Sequence, residues 1–328
     1  MKYRVLVTKP IPEEGLVDLG KYCQILMPPK EGPFYTREKI LDLVQDIDAV
    51  IVVGDKINEE FLEKANQLKV ISVYAVGYDN VDISAATKRS IPVTNLPEAV
   101  TESTAELAFA LMLALSRRLI EADHYVRREN ELKWHPFLLI SHELFEKKLG
   151  IIGLGRIGQA VARRARAFGM QVYYYDVVKK DTFARYLPFK ELISSVDYLS
   201  LHVPYYKNTH HLLGKNEFQI MKKSAYLINT SRGAVISESD LIQALQEKEI
   251  AGAGLDVYEN EPQVTPELRH FPNVVLTPHV GTGTIETRIK MALKASDNVI
   301  KILKGEMPKH IVNKRQGDGS INNIIPKK

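Results

Sequence analysis

A glycine-rich turn between two apolar runs constrains the fold of this chain more than any other feature. Residues 149–176 read LGIIGLGRIGQAVARRARAFGMQVYYYD, in which an apolar run, a turn, a helical run and a second apolar run end on Asp176. The turn carries Gly153, Gly155 and Gly158 in the pattern G-x-G-x-x-G. A bare match would also fit an ordinary strand-to-helix turn, but here strand, helix and second strand are all in place. The stretch therefore predicts a dinucleotide-binding βαβ unit.

Each glycine and the acid have a separate task in such a unit. Gly153 permits the sharp turn, Gly155 lets the backbone approach a pyrophosphate, and Gly158 lets the helix pack on the strand. The helix N-terminus adds N–H groups and partial positive charge, which favour an anion. Asp176 lies about 20 residues after the first glycine, where an acid hydrogen-bonds a ribose 2′-OH and repels a 2′-phosphate. We therefore expect NAD (NADH) as the cofactor and NADPH to be disfavoured, although the two lysines at 179–180 can soften that rejection.

Strand and helix patterns alternate along the rest of the chain. Short apolar runs predict strands at 3–7, 23–27, 49–53, 69–75, 149–152, 171–175, 197–203, 225–230, 251–257 and 273–277. Amphipathic runs predict helices at 36–45, 58–67, 101–128, 157–168, 238–247 and 284–305. This alternation indicates the α/β class, with parallel βαβ units in two doubly wound sheets.

The length of 328 residues favours two domains. The last long helix follows the final strand of the second sheet, and we expect it to pack back on the first domain. That domain is then discontinuous, with residues 1–100 and 284–312, and is predicted to bind the substrate. Residues 101–283 are predicted to form the NAD-binding domain. Residues 313–328 are polar and contain glycine, which predicts a loose C-terminal tail.

Composition argues against several classes of protein. The chain has 45% hydrophobic and 26% charged residues, as globular proteins do, and its net charge of +4 comes from scattered basic residues, so nucleic-acid binding has little support. The single cysteine excludes an internal disulfide framework and fits a reducing compartment. The start does not resemble a signal peptide and no apolar run is long enough to span a bilayer, so we expect a cytoplasmic protein without a membrane partner. No metal site is predicted.

Reduction of a carbonyl by a bound dinucleotide requires a proton donor and a cation that holds the substrate, and in doubly wound sheets such groups lie at the carboxyl ends of strands. Arg232 follows the strand in AYLINTSRGAV, and His279 follows the strand in NVVLTPHVG. Glu259 and Glu261 follow the strand in AGAGLDVYENEP. Taken singly, each has an ordinary structural explanation, such as a surface ion pair or a solvated loop. His202 is the strongest rival of His279, because it also ends a predicted strand.

Several motifs in one order carry a resemblance to a known family. GLGRIG with Asp176, then INTSRGAVI, GAGLDVYENEP and LTPHVG, resemble the D-isomer-specific 2-hydroxyacid dehydrogenases. VISVYAVGYDNVD at 70–82 and VTNLPEAVTESTAELAFALMLALSRR at 93–118 are similar to the glyoxylate and hydroxypyruvate reductase branch. The resemblance covers about residues 45 to 312. It implies a flavodoxin-like substrate domain and a Rossmann-like NAD domain with a cleft between them, and usually a homodimer.

The resemblance also implies roles for individual residues. Arg232 would bind the carboxylate and carbonyl of the substrate, and His279 would protonate the carbonyl oxygen. Glu261 would pair with His279 and favour its protonated form. Val76 and Gly77 would offer backbone N–H groups to the substrate carboxylate. The other cofactor contacts implied are Arg156 and Ile157 at the pyrophosphate, Val203, Pro204 and Thr209 beside the adenosine and nicotinamide, Thr104, Thr230, Asp256 and Gly281 nearer the nicotinamide, and His202 as a strand-end residue of the same site.

One segment departs from the family. Relatives often carry a glycine-containing stretch before the dinucleotide fold, where this chain has LLISHELFEKKLG at 138–150, with Ser141 and Glu146 in place of glycines. The departure concerns a local turn that is remote from the motifs above.

The predicted activity is reversible, NADH-dependent reduction of a small 2-oxo acid, glyoxylate or hydroxypyruvate, to the D-2-hydroxy acid. 3-Phosphoglycerate and 2-ketogluconate remain alternatives within the same chemistry. An alternative of another class is an NAD(H)-sensing binding protein similar to the transcriptional corepressors that resemble this family. The absence of long disordered extensions argues against that alternative.

Overall fold

The computed structural model describes residues 2–129 and 131–314. The chain divides into two compact units. The first unit comprises the residues up to Val100 together with those from Gly283 onward, and the second unit comprises Thr101–Thr282. No helix in the described part of the chain has the length and apolar character to cross a membrane.

The strands and helices follow one another in near-regular alternation. The strands are β1 Tyr3–Val7, β2 Cys23–Leu26, β3 Ala49–Val52, β4 Val70–Val73, β5 Val93–Thr94, β6 Lys148–Ile152, β7 Gln171–Tyr175, β8 Arg185–Tyr186, β9 Tyr198–Leu201, β10 Tyr226–Asn229, β11 Gly252–Leu255 and β12 Val274–Leu276. The helices are α1 Val17–Tyr22, α2 Arg37–Leu43, α3 Glu59–Lys64, α4 Ile83–Lys88, α5 Thr101–Ser116, α6 Leu119–Arg128, α7 Arg156–Ala167, α8 Phe189–Ser195, α9 Lys215–Ile220, α10 Glu238–Gln246 and α11 Ile285–Leu303.

The first unit is built on a parallel sheet with the strand order β2-β1-β3-β4-β5. This is the doubly wound order of flavodoxin-like domains. Successive side chains of β4 point to opposite faces, so Ile71 and Val73 pack in the apolar cluster with α2, α3 and α4. Ser72, between them, donates its hydroxyl to the carbonyl of Ala295 in α11. Helices therefore cover both faces, and α11 packs on the first sheet as the sequence predicts.

The second unit is built on a parallel sheet with the strand order β12-β11-β10-β9-β6-β7-β8. On one side of β6 the sheet continues with β7 and β8. The chain then crosses to the other side of β6, where β9, β10, β11 and β12 follow in order. This is the Rossmann order extended by one edge strand, and its switch point lies between β6 and β9. The predicted α/β class with two parallel sheets is confirmed.

The long helix predicted over 101–128 is wrong in one respect, because the structure has two helices there. Arg118 separates them, with φ of 50° in the left-handed region that stops a helix. Its guanidinium donates to both carboxylate oxygens of Glu121, at 3.1 and 2.6 Å, and to the carbonyl of Ile140 at 3.3 Å. The contact to Ile140 joins the break to a residue distant in sequence, which helical periodicity does not reveal.

Asn313, the first residue of the predicted tail, is held by the first unit and is not loose. Its side-chain oxygen accepts the N–H of Val93 at 2.8 Å, and its amide donates to Ile91 and Thr87 at 2.9 and 3.1 Å. The first unit therefore includes Asn313, one residue beyond the predicted boundary at 312. Residues 315–328 of the predicted tail lie outside the described residues.

Candidate active site

The glycine turn follows β6 at the switch point of the second sheet, and two of its glycines are required by the chain itself. Gly153 has φ of +89°, and a Cβ there would lie 2.7 Å from the carbonyl oxygen of His202. A Cβ on Gly158 would lie 2.2 Å from the carbonyl oxygen of Gly153. These contacts place the start of α7 directly against the end of β6, as the motif predicts.

Gly155 differs from the other two, because among the described residues no atom beyond its two chain neighbours lies within 4 Å of the position that its Cβ would take. It is the N-cap of α7, and no described side chain forms a capping hydrogen bond at that helix end. Arg156 and Ile157 form the first turn behind it. The side of Gly155 is thus open at a helix N-terminus that favours an anion. These features fit the pyrophosphate of a dinucleotide.

Asp176 directly follows β7, and its carboxylate is turned toward the glycine turn. Its Oδ2 accepts the backbone N–H of Leu154 at 2.9 Å and lies 3.2 Å from the ammonium of Lys180. The side chain is 17% exposed. The acid therefore lies where the ribose contact of a dinucleotide is expected.

His202 follows β9 beside the glycine turn, and its ring Nε2 is 2.9 Å from the hydroxyl of Ser200. Removal of the ring from water lowers the pKa of His202 to about 4. The imidazole is then uncharged at neutral pH, so it is a poor proton donor there. This finding disfavours His202 as the catalytic acid.

The neighbouring residues of the predicted cofactor site are placed by local contacts. Val203 lies against the glycine turn, 2.9 Å from the position of a Cβ on Gly153. Thr209 donates its hydroxyl to the carbonyl of Pro204 at 2.8 Å and so closes the loop after β9. The buried hydroxyl of Thr230 has no hydrogen-bond partner among the described residues, which leaves it suited to a bound molecule.

His279 and Glu261 form a hydrogen bond, Nδ1 to Oε2, of 2.8 Å. The side chains are 51% and 34% exposed, so the pair is accessible. The second oxygen of Glu261 accepts the N–H of Tyr258 at 3.0 Å. Burial alone would raise the pKa of Glu261, but the hydrogen bond and charge of His279, the Tyr258 N–H and the charge of Arg232 together lower it. The predicted pairing is thus present, and its carboxyl group is held in the charged form.

The turn that carries His279 is organised by the buried carboxylate of Asp256. Asp256 accepts the hydroxyl of Thr277 at 2.6 Å and the N–H groups of Val280 and Gly281 at 2.8 Å each. His279 itself has φ of 53°, a conformation that costs free energy in a residue with a Cβ. Asp256, which was predicted beside the nicotinamide, therefore acts on the geometry of His279. Thr104 packs near the same turn, 3.5 Å from the position of a Cβ on Gly281.

Arg232 lies in the turn after β10, and two contacts fix its backbone. The side-chain amide of Asn229 donates to the carbonyl of Arg232 at 2.9 Å, and a Cβ on Gly233 would lie 1.9 Å from the carbonyl carbon of Tyr258. This close packing brings Arg232 beside the loop of Glu261, in agreement with its effect on the pKa of that carboxyl. Its Nη1 also donates to the carbonyl of Ser231 at 2.7 Å.

The three predicted catalytic residues, Arg232, Glu261 and His279, therefore come together at the carboxyl ends of β10, β11 and β12. All belong to the second unit. Val76 and Gly77 follow β4 in the first unit. Within residues 2–129 and 131–314, no three His, Cys, Asp or Glu side chains converge as a metal site.

A second histidine–glutamate pair was not predicted from the sequence. His211 Nε2 is 2.5 Å from Glu259 Oε1, and Glu259 lies only two residues before Glu261. Glu238 and Glu259 each donate a backbone N–H to the carboxylate of the other, at 3.0 and 2.6 Å. Through Glu238, Glu259 links the loop of Glu261 to the start of α10. The signal in the sequence was Glu259, an acid without an assigned role that lies two residues before Glu261, which had one.

Comparison with known proteins gives three consistent results. A profile described as the NAD binding domain of D-isomer specific 2-hydroxyacid dehydrogenases matches residues 109–281. A protein named glyoxylate reductase from Thermococcus litoralis is 47% identical, over 96% of this chain and 98% of that protein. A solved structure from Thermus thermophilus has a TM-score of 0.89 at 40% identity and covers 94% of this chain and 99% of that chain.

One further solved structure bears on the cofactor. It is titled an NADPH-dependent glyoxylate/hydroxypyruvate reductase from Sinorhizobium meliloti, in complex with NADP and malonate. It has a TM-score of 0.83 at 31% identity and covers 95% of this chain and 97% of that chain.

Proposed function

Because the chain belongs to the family of D-isomer-specific 2-hydroxyacid dehydrogenases, we propose that it catalyses the NADH-dependent, reversible reduction of a small 2-oxo acid to the D-2-hydroxy acid. The observation that carries the proposal is the hydrogen bond between His279 and Glu261, formed beside the charge of Arg232. It lies at the same edge of the sheet as the glycine turn. A proton donor, a cation and a dinucleotide cradle are the groups that the reaction needs.

His279 is the proposed acid and base. Its Nδ1 is engaged by Glu261, so its Nε2 is the atom that faces away from the carboxylate and can exchange a proton with the substrate oxygen. In reduction it donates the proton to the carbonyl oxygen as negative charge develops there. In the reverse reaction it accepts the hydroxyl proton. The Glu261 carboxylate stabilises the imidazolium form and fixes the orientation of the ring.

Arg232 is the proposed substrate-binding cation. A guanidinium binds a carboxylate through two parallel hydrogen bonds and can also polarise a neighbouring carbonyl. The roles predicted for Val76 and Gly77 as donors to the substrate carboxylate stay predictions.

The bound cofactor supplies the hydride in this scheme. Gly155, Arg156 and Ile157 would meet its pyrophosphate, and Asp176 its adenosine ribose. The preference for NADH is supported by Asp176, since a carboxylate repels a 2′-phosphate. Thr230, with its buried hydroxyl, is the proposed partner on the nicotinamide side.

Glyoxylate is the proposed substrate, with hydroxypyruvate as the next candidate. The support is that relatives over nearly the full chain are named glyoxylate reductase. 3-Phosphoglycerate and 2-ketogluconate are the remaining alternatives.

The test is a panel of these four 2-oxo or 2-hydroxy acids with the purified protein, read at the absorbance band of NADH. We expect oxidation of NADH with glyoxylate to exceed that with 2-ketogluconate. A protein that binds NADH but turns over no member of the panel would contradict the proposed reaction and favour the NAD(H)-sensing alternative.

We further propose that the protein is a homodimer. Large apolar side chains are exposed in one stretch of the second unit: Leu119, Ile120, Val126, Leu132, Trp134, Phe137, Ile140 and Phe145. Trp134 is 80% exposed and Phe137 is 76% exposed. A concentration of exposed large apolar side chains in one segment is typical of a surface that another chain covers. A cytoplasmic location stays a prediction.

The oligomer is tested by light scattering on a sizing column. The double variant Trp134→Glu/Phe137→Glu should elute as a monomer, and Val17→Glu, which alters an exposed apolar residue in α1, should not change the mass. A parent protein that is monomeric at micromolar concentration would contradict the proposal.

A further inference from the structure

Lys180 is the cation that pairs with the acid at the ribose position. Its ammonium lies 3.2 Å from Oδ2 of Asp176 and donates to the carbonyl of Leu154 at 2.8 Å. It therefore contacts both the acid and the glycine turn. The side chain is 32% exposed, so a bound cofactor could reach it.

The position of Lys180 is set by its backbone and is not a chance arrangement of a surface side chain. Its N–H donates to the hydroxyl of Tyr174 at 2.8 Å, and that hydroxyl donates to the carbonyl of Lys180 at 3.1 Å. Tyr174 is a core residue of β7. Lys179, in contrast, has its ammonium over the ring of Tyr186, 4.6 Å from the ring centre. The two adjacent lysines thus have different environments.

The two oxygens of Asp176 are used unequally. Oδ2 receives both the Leu154 N–H and the Lys180 ammonium. Oδ1, among the described residues, receives only the N–H of Val178 at 3.5 Å, at the limit of a hydrogen bond. Contacts to Oδ2 orient the carboxylate, and Oδ1 is the oxygen that can accept a ribose hydroxyl.

We propose that Lys180 is a specificity-determining residue that limits how strictly the site rejects NADPH, an inference that rests on the proposed use of a nicotinamide cofactor. A phosphate monoester carries a charge between about −1.5 and −2 at neutral pH. Beside Asp176 alone, that charge meets a carboxylate in a partly desolvated site. Lys180 offsets the repulsion and supplies an ammonium that can turn from the Leu154 carbonyl to the phosphate. For NADH, Lys180 contributes only the orientation of Asp176.

This division of roles predicts opposite changes for the two residues. Lys180→Gln should weaken NADPH binding about tenfold, the effect of one lost charge-assisted hydrogen bond, and NADH binding no more than about threefold. Asp176→Asn should strengthen NADPH binding, because Lys180 is then free of the ion pair. In the double variant the gain from Asp176→Asn should be smaller than in the parent background, because only the lost repulsion by the carboxylate remains and no ammonium is released. The effects of the two substitutions are therefore expected to be non-additive for NADPH.

The experiment is a titration of the full-length protein with NADH and with NADPH, followed by the fluorescence of the reduced nicotinamide, without 2-oxo acid. Lys179→Gln is the matched control and should leave the ratio of the two dissociation constants unchanged. Lys180→Arg keeps the cation and should retain NADPH binding. Thermal unfolding of each variant shows that it is folded; if Lys180→Gln does not fold, the comparison of Lys180→Arg with Lys180→Met replaces it.

Equal weakening of both cofactors in Lys180→Gln, or a gain from Asp176→Asn that is as large in the Lys180→Gln background as in the parent, would overturn the inference. These results would leave the proposed reaction intact. Loss of turnover on every 2-oxo acid with the binding pattern as predicted would overturn the reaction and leave the inference intact. If neither nucleotide binds the parent protein, both fail.

Discussion

The carboxyl group of Glu261 keeps its negative charge to a lower pH than an ordinary glutamate does, since its pKa is lowered despite partial burial. A carboxyl with a lowered pKa is charged above that value and loses its charge only as the pH falls through it. The attraction between Glu261 and a protonated His279 therefore operates throughout the neutral range. The contribution of the Glu261 charge to this attraction is lost only in acid.

The first prediction concerns the pH dependence of the rate. Reduction requires a protonated His279, so its rate should fall as the pH rises, and oxidation should show the opposite limb. Glu261→Gln removes the charge and keeps the shape, so it should lower the rate of reduction at neutral pH, and the effect on the parent's profile of protonating Glu261 in acid should be absent. Initial rates in both directions, measured across the pH range, check this.

Glu259→Gln is the matched control, two residues away in the same loop. Glu259 pairs with His211 and Glu238 and not with His279, so its loss should reduce stability and leave the pH limbs in place. His279→Ala should lower the rate by about 10² to 10⁴ while NADH still binds. Identical pH profiles for Glu261→Gln and the parent would contradict the assignment of the pair.

The second prediction concerns Arg232. Lysine keeps the charge but lacks the planar fork, so Arg232→Lys should lower kcat/KM for glyoxylate by about 10-fold to 100-fold. The dissociation constant of NADH should change little, because the guanidinium is not assigned to the cofactor. Steady-state kinetics together with an NADH titration check this, and near-parent activity in the lysine variant would show that the site is misplaced.

At the scale of the element, the turn from β6 to α7 contains two kinds of glycine. Gly158 is required by the packing of the helix on the strand, whereas Gly155 has open space at its side and an ordinary φ of −72°. An added methyl group therefore has different consequences at the two positions. A substitution at Gly158 therefore tests folding, and a substitution at Gly155 tests cofactor binding.

The third prediction uses that difference. Gly158→Ala should lower the melting temperature, because its Cβ would meet a backbone carbonyl. Gly155→Ala should melt close to the parent and yet bind NADH at least about tenfold more weakly, since the methyl group occupies the approach of the pyrophosphate. Calorimetry and fluorescence titration check the two halves. Unchanged NADH affinity in Gly155→Ala would indicate that the pyrophosphate does not approach there.

Elements of the second unit also show what local sequence does and does not reveal. The glycine turn was predictable because its strand, turn, helix and second strand follow one another directly within residues 149–176. The break between α5 and α6 was not, because Arg118 is stabilised in its left-handed conformation by Ile140, which lies in a distant loop. The role of Asp256 was missed in part for the same reason, since its partners belong to the turn after another strand.

At the scale of the whole molecule, two parallel sheets were predictable, because alternating strands and helices leave few ways to bury their apolar faces. The two-residue edge strands β5 and β8 were not predicted. The residues that position the catalytic groups were harder to predict from the sequence. Glu238 occurs in an ordinary context, and only the close approach of a separate loop gives it Glu259 as a partner. Pairing across loops depends on the distance between residues in three dimensions, which cannot be read from a single sequence.

The short stretch around Asn313 has a consequence for colloidal behaviour. β5 is the last strand of the first sheet, and Thr94 in it forms an antiparallel bridge with Ile311, while the N–H of Val312 donates to the carbonyl of Val93 at 2.8 Å. Ile311–Asn313 thus shields a strand edge that would otherwise offer unpaired backbone groups to another molecule.

A chain cut after His310 should form turbid, β-rich aggregates on warming, whereas one cut after Lys314 should stay clear. Light scattering during a temperature ramp distinguishes the two truncated chains. Equal clarity of both would show that β5 does not need residues 311–313 to prevent aggregation.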